Sequence, residues 1–232
     1  MSELYLSRLV LNPRNRLVQR DLADCRALHQ RIMQGFPGTA SAQPRQTFGV
    51  LYRVEVDDRT GIPLLLVQAN TEPDWKSALH TGYLLDAERG RNPDTKRIDE
   101  QYGGLREKTE LQFRLRANPT KRLSPLNEKA GTLSGKRVEL PDESQQLEWL
   151  QRKGIDSGFR LVSARAQPGD FLGSKQTGRS ANTGSDLRFA TVVFDGRLVV
   201  ADAERFRATL SKGIGPGKAF GFGLLSVAPA GH

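Results

Sequence analysis

Between Gly213 and Gly223 the chain carries five glycines and a proline within eleven residues. No helix holds under that composition, because glycine gives up the most backbone entropy on ordering and proline removes a donor. What glycine permits instead is positive φ, which lets successive amides turn toward one anion. Lys212 and Lys218 bracket the stretch with positive charge, and Phe220 to Val227 reads as the last strand. The stretch is therefore a loop that becomes a strand. A flexible tail or a tight connection would show the same glycines; the two lysines and the apolar run that follows favour phosphate.

Familiar phosphate motifs do not fit. A P-loop needs glycine where Lys212 stands and Ser or Thr where Ala219 stands, and a dinucleotide fingerprint needs a third glycine at Lys218. Lys218-Ala219-Phe220-Gly221-Phe222-Gly223 imitates the aromatic strand of an RRM, but nine residues after Gly223 are too few for the helix and strand that should follow it.

With 232 residues, 37% of them apolar, the chain can bury one large core or two of roughly a hundred residues each. No run of about 18 apolar residues exists and Met1-Ser2-Glu3 leads straight into a strand pattern, so neither a membrane span nor a signal segment is expected, and the cytoplasm is the expected location. A single cysteine, Cys25, excludes an internal disulfide. Histidines at 29, 80 and 232 have no metal-ligand spacing, so neither a metal nor another cofactor is expected. Lysines and arginines number 16 against 15 acidic residues over 1–110, but 19 against 11 over 111–232. The excess charge sits in the second half, which points to a polyanion surface there, nucleic acid foremost.

Leu4 to Leu11 reads as a buried strand closed by Asn12-Pro13. A helix capped by Asp21 is expected through about Gln34, stopped by Gly35-Phe36-Pro37-Gly38. Leu22, Cys25, Ile32 and Phe36 form its apolar stripe with His29 in line. His29 is then either a packed core histidine or a proton-transfer group at the edge of a cleft. Thr47–Val56 and Ile62–Ala69 form a hairpin around Asp57–Gly61, Glu72–Trp75 opens a short helix, and Gly82–Asp86 is the expected return strand. The order is β-α-β-β-α-β. Polar residues 89–107 are expected to be a linker between a first domain at 1–88 and a second at 108–232.

In that second half, Glu110–Asn118 alternates apolar and basic residues, which faces Arg114 and Arg116 outward, and Lys121 and Arg122 extend the same basic line. A helix over Asp142–Lys153, a strand over Phe159–Ala166, strands at Leu187–Val193 and Arg197–Val200 with a turn at Asp195-Gly196, a helix over Asp202–Leu210 and the final strand repeat the β-α-β-β-α-β order. Gly169–Asp186, with Lys175 and Arg179, is a projecting basic loop or a solvated one.

Three motifs together resemble a known family, the type I-E CRISPR-associated repeat-processing endoribonucleases often called CasE. They are Tyr5-Leu6-Ser7-Arg8-Leu9-Val10-Leu11, Leu28-His29-Gln30 running to Phe36-Pro37, and Gly215-Pro216-Gly217-Lys218-Ala219-Phe220-Gly221-Phe222-Gly223-Leu224-Leu225. Asn118-Pro119-Thr120-Lys121 agrees, and the resemblance covers essentially the whole chain. It implies an α+β fold of two tandem ferredoxin-like (RRM-like) domains with a basic protrusion and a C-terminal glycine-rich loop. It also implies a metal-independent endoribonuclease that binds the stem-loop of CRISPR repeat RNA. Cleavage at the 3′ base of the stem leaves a 2′,3′-cyclic phosphate and a 5′-hydroxyl, and the protein stays with the mature crRNA among the other Cascade subunits. His29 matches the family histidine. Arg26 stands where the family often has tyrosine, so phosphorane stabilisation is its implied role. Arg31, Arg114, Arg116, Lys121, Arg122, Lys175, Arg179, Lys212 and Lys218 are the expected RNA contacts. A non-cleaving stem-loop scaffold is the alternative that Arg26 leaves open.

Overall fold

The computed structural model describes residues 3–86, 90–122, 137–174 and 187–230. Its first half is a sheet ordered β2-β3-β1-β4, built from β1 (Tyr5–Val10), β2 (Leu51–Val56), β3 (Pro63–Ala69) and β4 (Asp94–Arg97), all antiparallel. The second half repeats that topology as β10-β5-β9-β8, from β5 (Glu110–Ala117), β8 (Phe159–Ser174), β9 (Leu187–Val200) and β10 (Leu225–Pro229). In each sheet the first and third strands lie centrally, which is the ferredoxin-like arrangement. A small ribbon of β6 (Thr120–Arg122) and β7 (Arg137–Glu139) is inserted after β5.

Helices cover one face of each sheet. In the first half these are α1 (Arg16–Ala23), α2 (Cys25–Met33), α3 (Pro44–Thr47) and α4 (Trp75–Ala78); then come α5 (Asp99–Gly103), α6 (Glu143–Asp156) and α7 (Ala203–Lys212). The expected single helix from Asp21 is in fact two. Asn15 caps α1 by accepting from the Leu17 and Val18 amides, and Asp24 caps α2 by accepting from Arg26 and Ala27. Asp21 is therefore not a cap; it is a buried residue of α1. Each such cap contributes about 1 kcal/mol, and Asp24 restarts the helix so that α2 leaves at its own angle.

Three further expectations change. Gly82–Asp86 makes only one bridge, Leu11 to Leu84, because Tyr83 turns into the core; the fourth strand is β4, drawn with α5 from the segment read as linker, and Ile98 beside it is buried. No turn interrupts β9 at Asp195-Gly196: Gly196 lies flat against a bulge in β8, where any Cβ would strike the Ser163 carbonyl. The last strand starts at Leu225, since Lys218–Phe220 form a 3-10 turn.

Two cores result. Leu9, Leu11, Ile32, Tyr52, Leu65, Trp75 and Tyr83 pack in the first, and Phe113, Leu115, Trp149, Phe159, Phe194, Phe206 and Leu210 in the second. Between the halves run polar ties. Arg53, 3% exposed at its side chain, donates to the Leu224 carbonyl at 3.0 Å and Ser226 Oγ at 3.0 Å, and Gln68 Nε2 donates to the Leu210 carbonyl at 2.8 Å. Such ties fix one half against the other, because a buried donor left unpaired costs about 1–3 kcal/mol.

Candidate functional site

The glycine loop folds back onto the first half of the molecule. All five of its glycines have positive φ, from 73° at Gly213 to 87° at Gly223. Two positions show why other residues are excluded: a Cβ on Gly213 would meet Leu51 and the Gly223 carbonyl at 2.8 Å, and one on Gly221 would press the Tyr52 ring at 3.1 Å. Phe220 and Phe222 hold the loop to β9 by packing on Phe189, the first stacked with ring centres 5.1 Å apart. Tyr52 closes the connection. Its hydroxyl donates to the Ala219 carbonyl at 2.8 Å, and its ring stacks on His29 at 6.3 Å between centres and 19° between planes.

His29 therefore sits where α2 meets the loop. Its Nδ1 is buried and without a hydrogen bond among the described residues. Burial pushes the imidazole below its usual titration range, and the Arg45 charge pushes in the same direction. Neutral imidazole, able to accept a proton, is the form that this environment favours at neutral pH. Tyr52 supplies a platform and no proton, since burial drives its phenol far above the ordinary value.

Sequence reasoning passed over Arg45. It lies in α3, its Nη1 donates to the Val50 carbonyl at 3.0 Å, and it lines a cleft of about 470 Å³ together with Asn70, Ser211, Lys212 and Lys218. The only signal in the sequence was Pro44, a helix-opening residue placed just before it. Lys218 is pushed down by burial and then by Arg45, Lys153 and Lys212. Lys212 and Lys218 thus reach one cleft, as their bracketing of the glycines implied.

The other expected contacts are placed differently. Arg31 points inward: its side chain is 9% exposed, its Nε donates to Asp21 Oδ2 at 3.0 Å, its Nη1 donates to Gln34 at 2.9 Å, and it lies over the Tyr83 ring. Arg114 is forked by Asp195 at 2.6 Å and 3.2 Å, with Glu55 at 3.6 Å, and Arg116 Nη1 donates to the Val54 carbonyl at 3.3 Å. The outward face of β5 is thus half an internal joint between the sheets. Lys121 and Arg122 do not continue β5; they belong to the β6–β7 ribbon and are exposed. Asn118 anchors that ribbon, donating to Glu139 Oε1 at 3.0 Å and to the Ala190 carbonyl at 2.7 Å. Arg26 is partly buried one turn before His29, on the same side of α2. Lys175 and Arg179 lie outside the described residues. Among those described, no group of three or more His, Cys, Asp or Glu could hold a metal ion, and no helix is long and apolar enough to cross a membrane.

Two ferredoxin-like sheets in tandem thus meet at a glycine loop, whose Ala219 carbonyl is held by the same Tyr52 that stacks on His29. The chain belongs to the CRISPR associated protein family, whose model matches residues 4–229. It is 37% identical over 233 residues to the CRISPR-associated endoribonuclease Cse3 of Thermus thermophilus, covering 97% of this chain and all of that protein. A structure of CRISPR endoribonuclease Cse3 bound to 19 nt RNA superposes with a TM-score of 0.77, over 98% of this chain and all of the other, at 37% identity. The CRISPR system Cascade subunit CasE of Escherichia coli is 35% identical over 125 residues, 51% of this chain and 58% of that one.

Proposed function

We propose that this protein cuts CRISPR repeat RNA at the 3′ base of its stem-loop, without a metal, and keeps the product as a subunit of a Cascade complex. The neutral, stacked His29 beside an uncompensated cationic cleft carries this reading; the names of the relatives, an endoribonuclease and a Cascade subunit, support it. His29 accepts the proton of the ribose 2′-hydroxyl as that oxygen attacks phosphorus and the bond to the 5′-oxygen breaks. The products are a 2′,3′-cyclic phosphate and a 5′-hydroxyl end. One proton leaves the 2′-oxygen and one arrives at the 5′-oxygen, so His29 can return what it takes and no water is consumed. Arg26 stabilises the charge of the phosphorane. Cations acting in a partly dry site do this more strongly than in water.

For RNA holding, Lys212 and Lys218 at the glycine loop, Lys121 and Arg122 on the ribbon, and Lys175 and Arg179 in the chain between Ser174 and Leu187 serve as phosphate contacts along an A-form stem. Arg31, Arg114 and Arg116, engaged with protein groups, hold the framework that presents them. We place residues 1–88 and 108–232 as the two domains, with 89–107 completing the first sheet and joining them, and the protein in the cytoplasm, where its transcript is. The deciding experiment incubates the purified protein in EDTA with a labelled repeat stem-loop and with a copy carrying a 2′-deoxy nucleotide at the cut. Cleavage of the first alone is expected. Binding of both with cleavage of neither would replace the enzyme with a stem-loop scaffold, the reading that Arg26 in place of tyrosine keeps open.

A further inference from the structure

The cleft that holds Arg45 does not include His29 in its walls, although the Arg45 charge is felt at the imidazole. Three cations, Arg45, Lys212 and Lys218, enter it from three elements: α3, the end of α7 and the 3-10 turn after Gly217. None pairs with a carboxylate among the described residues, and burial weakens the charged form of both Arg45 and Lys218. Like charges converging in a partly dry space oppose one another until an anion enters. Arg45 is also pre-set. Its Nη1 is held by the Val50 carbonyl, and the Val50 amide donates back to the Arg45 carbonyl at 2.9 Å, so the rest of the guanidinium fork is presented at little entropic cost.

We propose that this cleft is a phosphate subsite for the RNA strand, with Arg45 as its inner cation, and that it takes the phosphodiester adjoining the one on which His29 acts. The assignment rests on the proposed RNA-cleaving function and adds a residue and a position to it. A phosphate one step from the reacting bond fixes the strand on one side of the scissile linkage, and such positioning is where much of the rate of an in-line displacement comes from.

The test measures affinity for the 2′-deoxy stem-loop, which cannot be cut, across a salt series for the full-length protein and for Arg45→Gln, Arg45→Lys and Lys212→Gln. Loss of one phosphate contact lowers the slope of log affinity against log salt by about 0.7–0.9. That drop is expected for Arg45→Gln and Lys212→Gln, and Arg45→Lys is expected to keep the wild-type slope because it keeps the charge. Weaker binding at an unchanged slope would overturn the subsite and leave Arg45 only its bond to Val50. Should Arg45→Gln fail to fold, Lys212→Gln, altered at an exposed side chain, still decides: an unchanged slope sinks the proposal. Because the probe is uncleavable, the expected slope change in a protein that never cuts RNA would keep the subsite and remove the nuclease reading. Normal cleavage with no slope change does the reverse.

Discussion

Helix α2 and the segment that follows it carry two arginines in opposite circumstances. Arg31 is buried in the first core against Asp21, Gln34 and the Tyr83 ring, with its charge answered at every side. Arg45, fourteen residues on, shares a cleft with Lys212 and Lys218 and has no carboxylate among the described residues. The first arrangement spends its charge on fixing the fold. The second leaves charge available for a ligand, and its field reaches His29, the proposed proton acceptor. A positive side chain thus signals nucleic acid only where the protein has not already neutralised it.

The sharpest test of that contrast is functional. His29→Ala is expected to lower cleavage of the repeat stem-loop by about 10²–10⁴-fold, the usual worth of a positioned acid or base, while affinity for the 2′-deoxy copy and the melting temperature hold. Next in size is the paired side. Asp21→Ala strands a buried guanidinium and should cost about 3–5 kcal/mol of stability, read by urea or thermal unfolding; a loss under 1 kcal/mol would mean that Arg31 had found water or another partner and that the pairing carries little.

Gly221→Ala is expected to cost about 1–2 kcal/mol for a side chain at φ 84°. It should also slow cleavage more than it weakens binding, because the added methyl meets the Tyr52 ring on which His29 stacks. Equal losses in both would detach Tyr52 from the chemistry. Acidity offers a finer probe. Burial and Arg45 both hold His29 below its ordinary value of about 6.5. Proton acceptance, and with it kcat/KM, should therefore persist to slightly acidic pH and fall only as pH drops through that lowered value. Arg45→Gln removes a charge that opposes protonation, so the acid limb should move upward in pH; a downward move would reverse the assigned sign. Smallest of all, Arg114→Gln breaks a half-exposed pair with Asp195 and should change stability by about 0–1 kcal/mol with no change in the salt slope of RNA binding.

Much of this was legible beforehand, and for physical reasons. Glycine at positive φ is a local requirement, so the loop from Gly213 to Gly223 announced itself, as did the helix read from Asp202 and the alternation of Leu111, Phe113 and Leu115 in β5. The strand at 94–97 was hidden because Asp94-Thr95-Lys96-Arg97 carries no apolar period: it is an edge strand whose partner β1 supplies the order. Asp21 looked like a cap because Asp at the start of an apolar stripe reads that way, and only burial against Arg31 and Tyr83 gives it another role. Arg45 had only the helix-opening Pro44 before it, a local signal that says nothing of the cleft it enters.

By itself the sequence determined where the chain can bend, which faces are apolar, and that one histidine lies in line with the stripe of α2, since backbone sterics and periodicity act within a few residues. Which cations are free was decided only by the tertiary structure. Pairing depends on what lies across space, and Asp195 reaches Arg114 from 81 residues away while Tyr52 reaches Ala219 from 167. No local rule counts those distances; strand pairing within the second sheet sets the first, and the packing of the glycine loop on the first sheet sets the second.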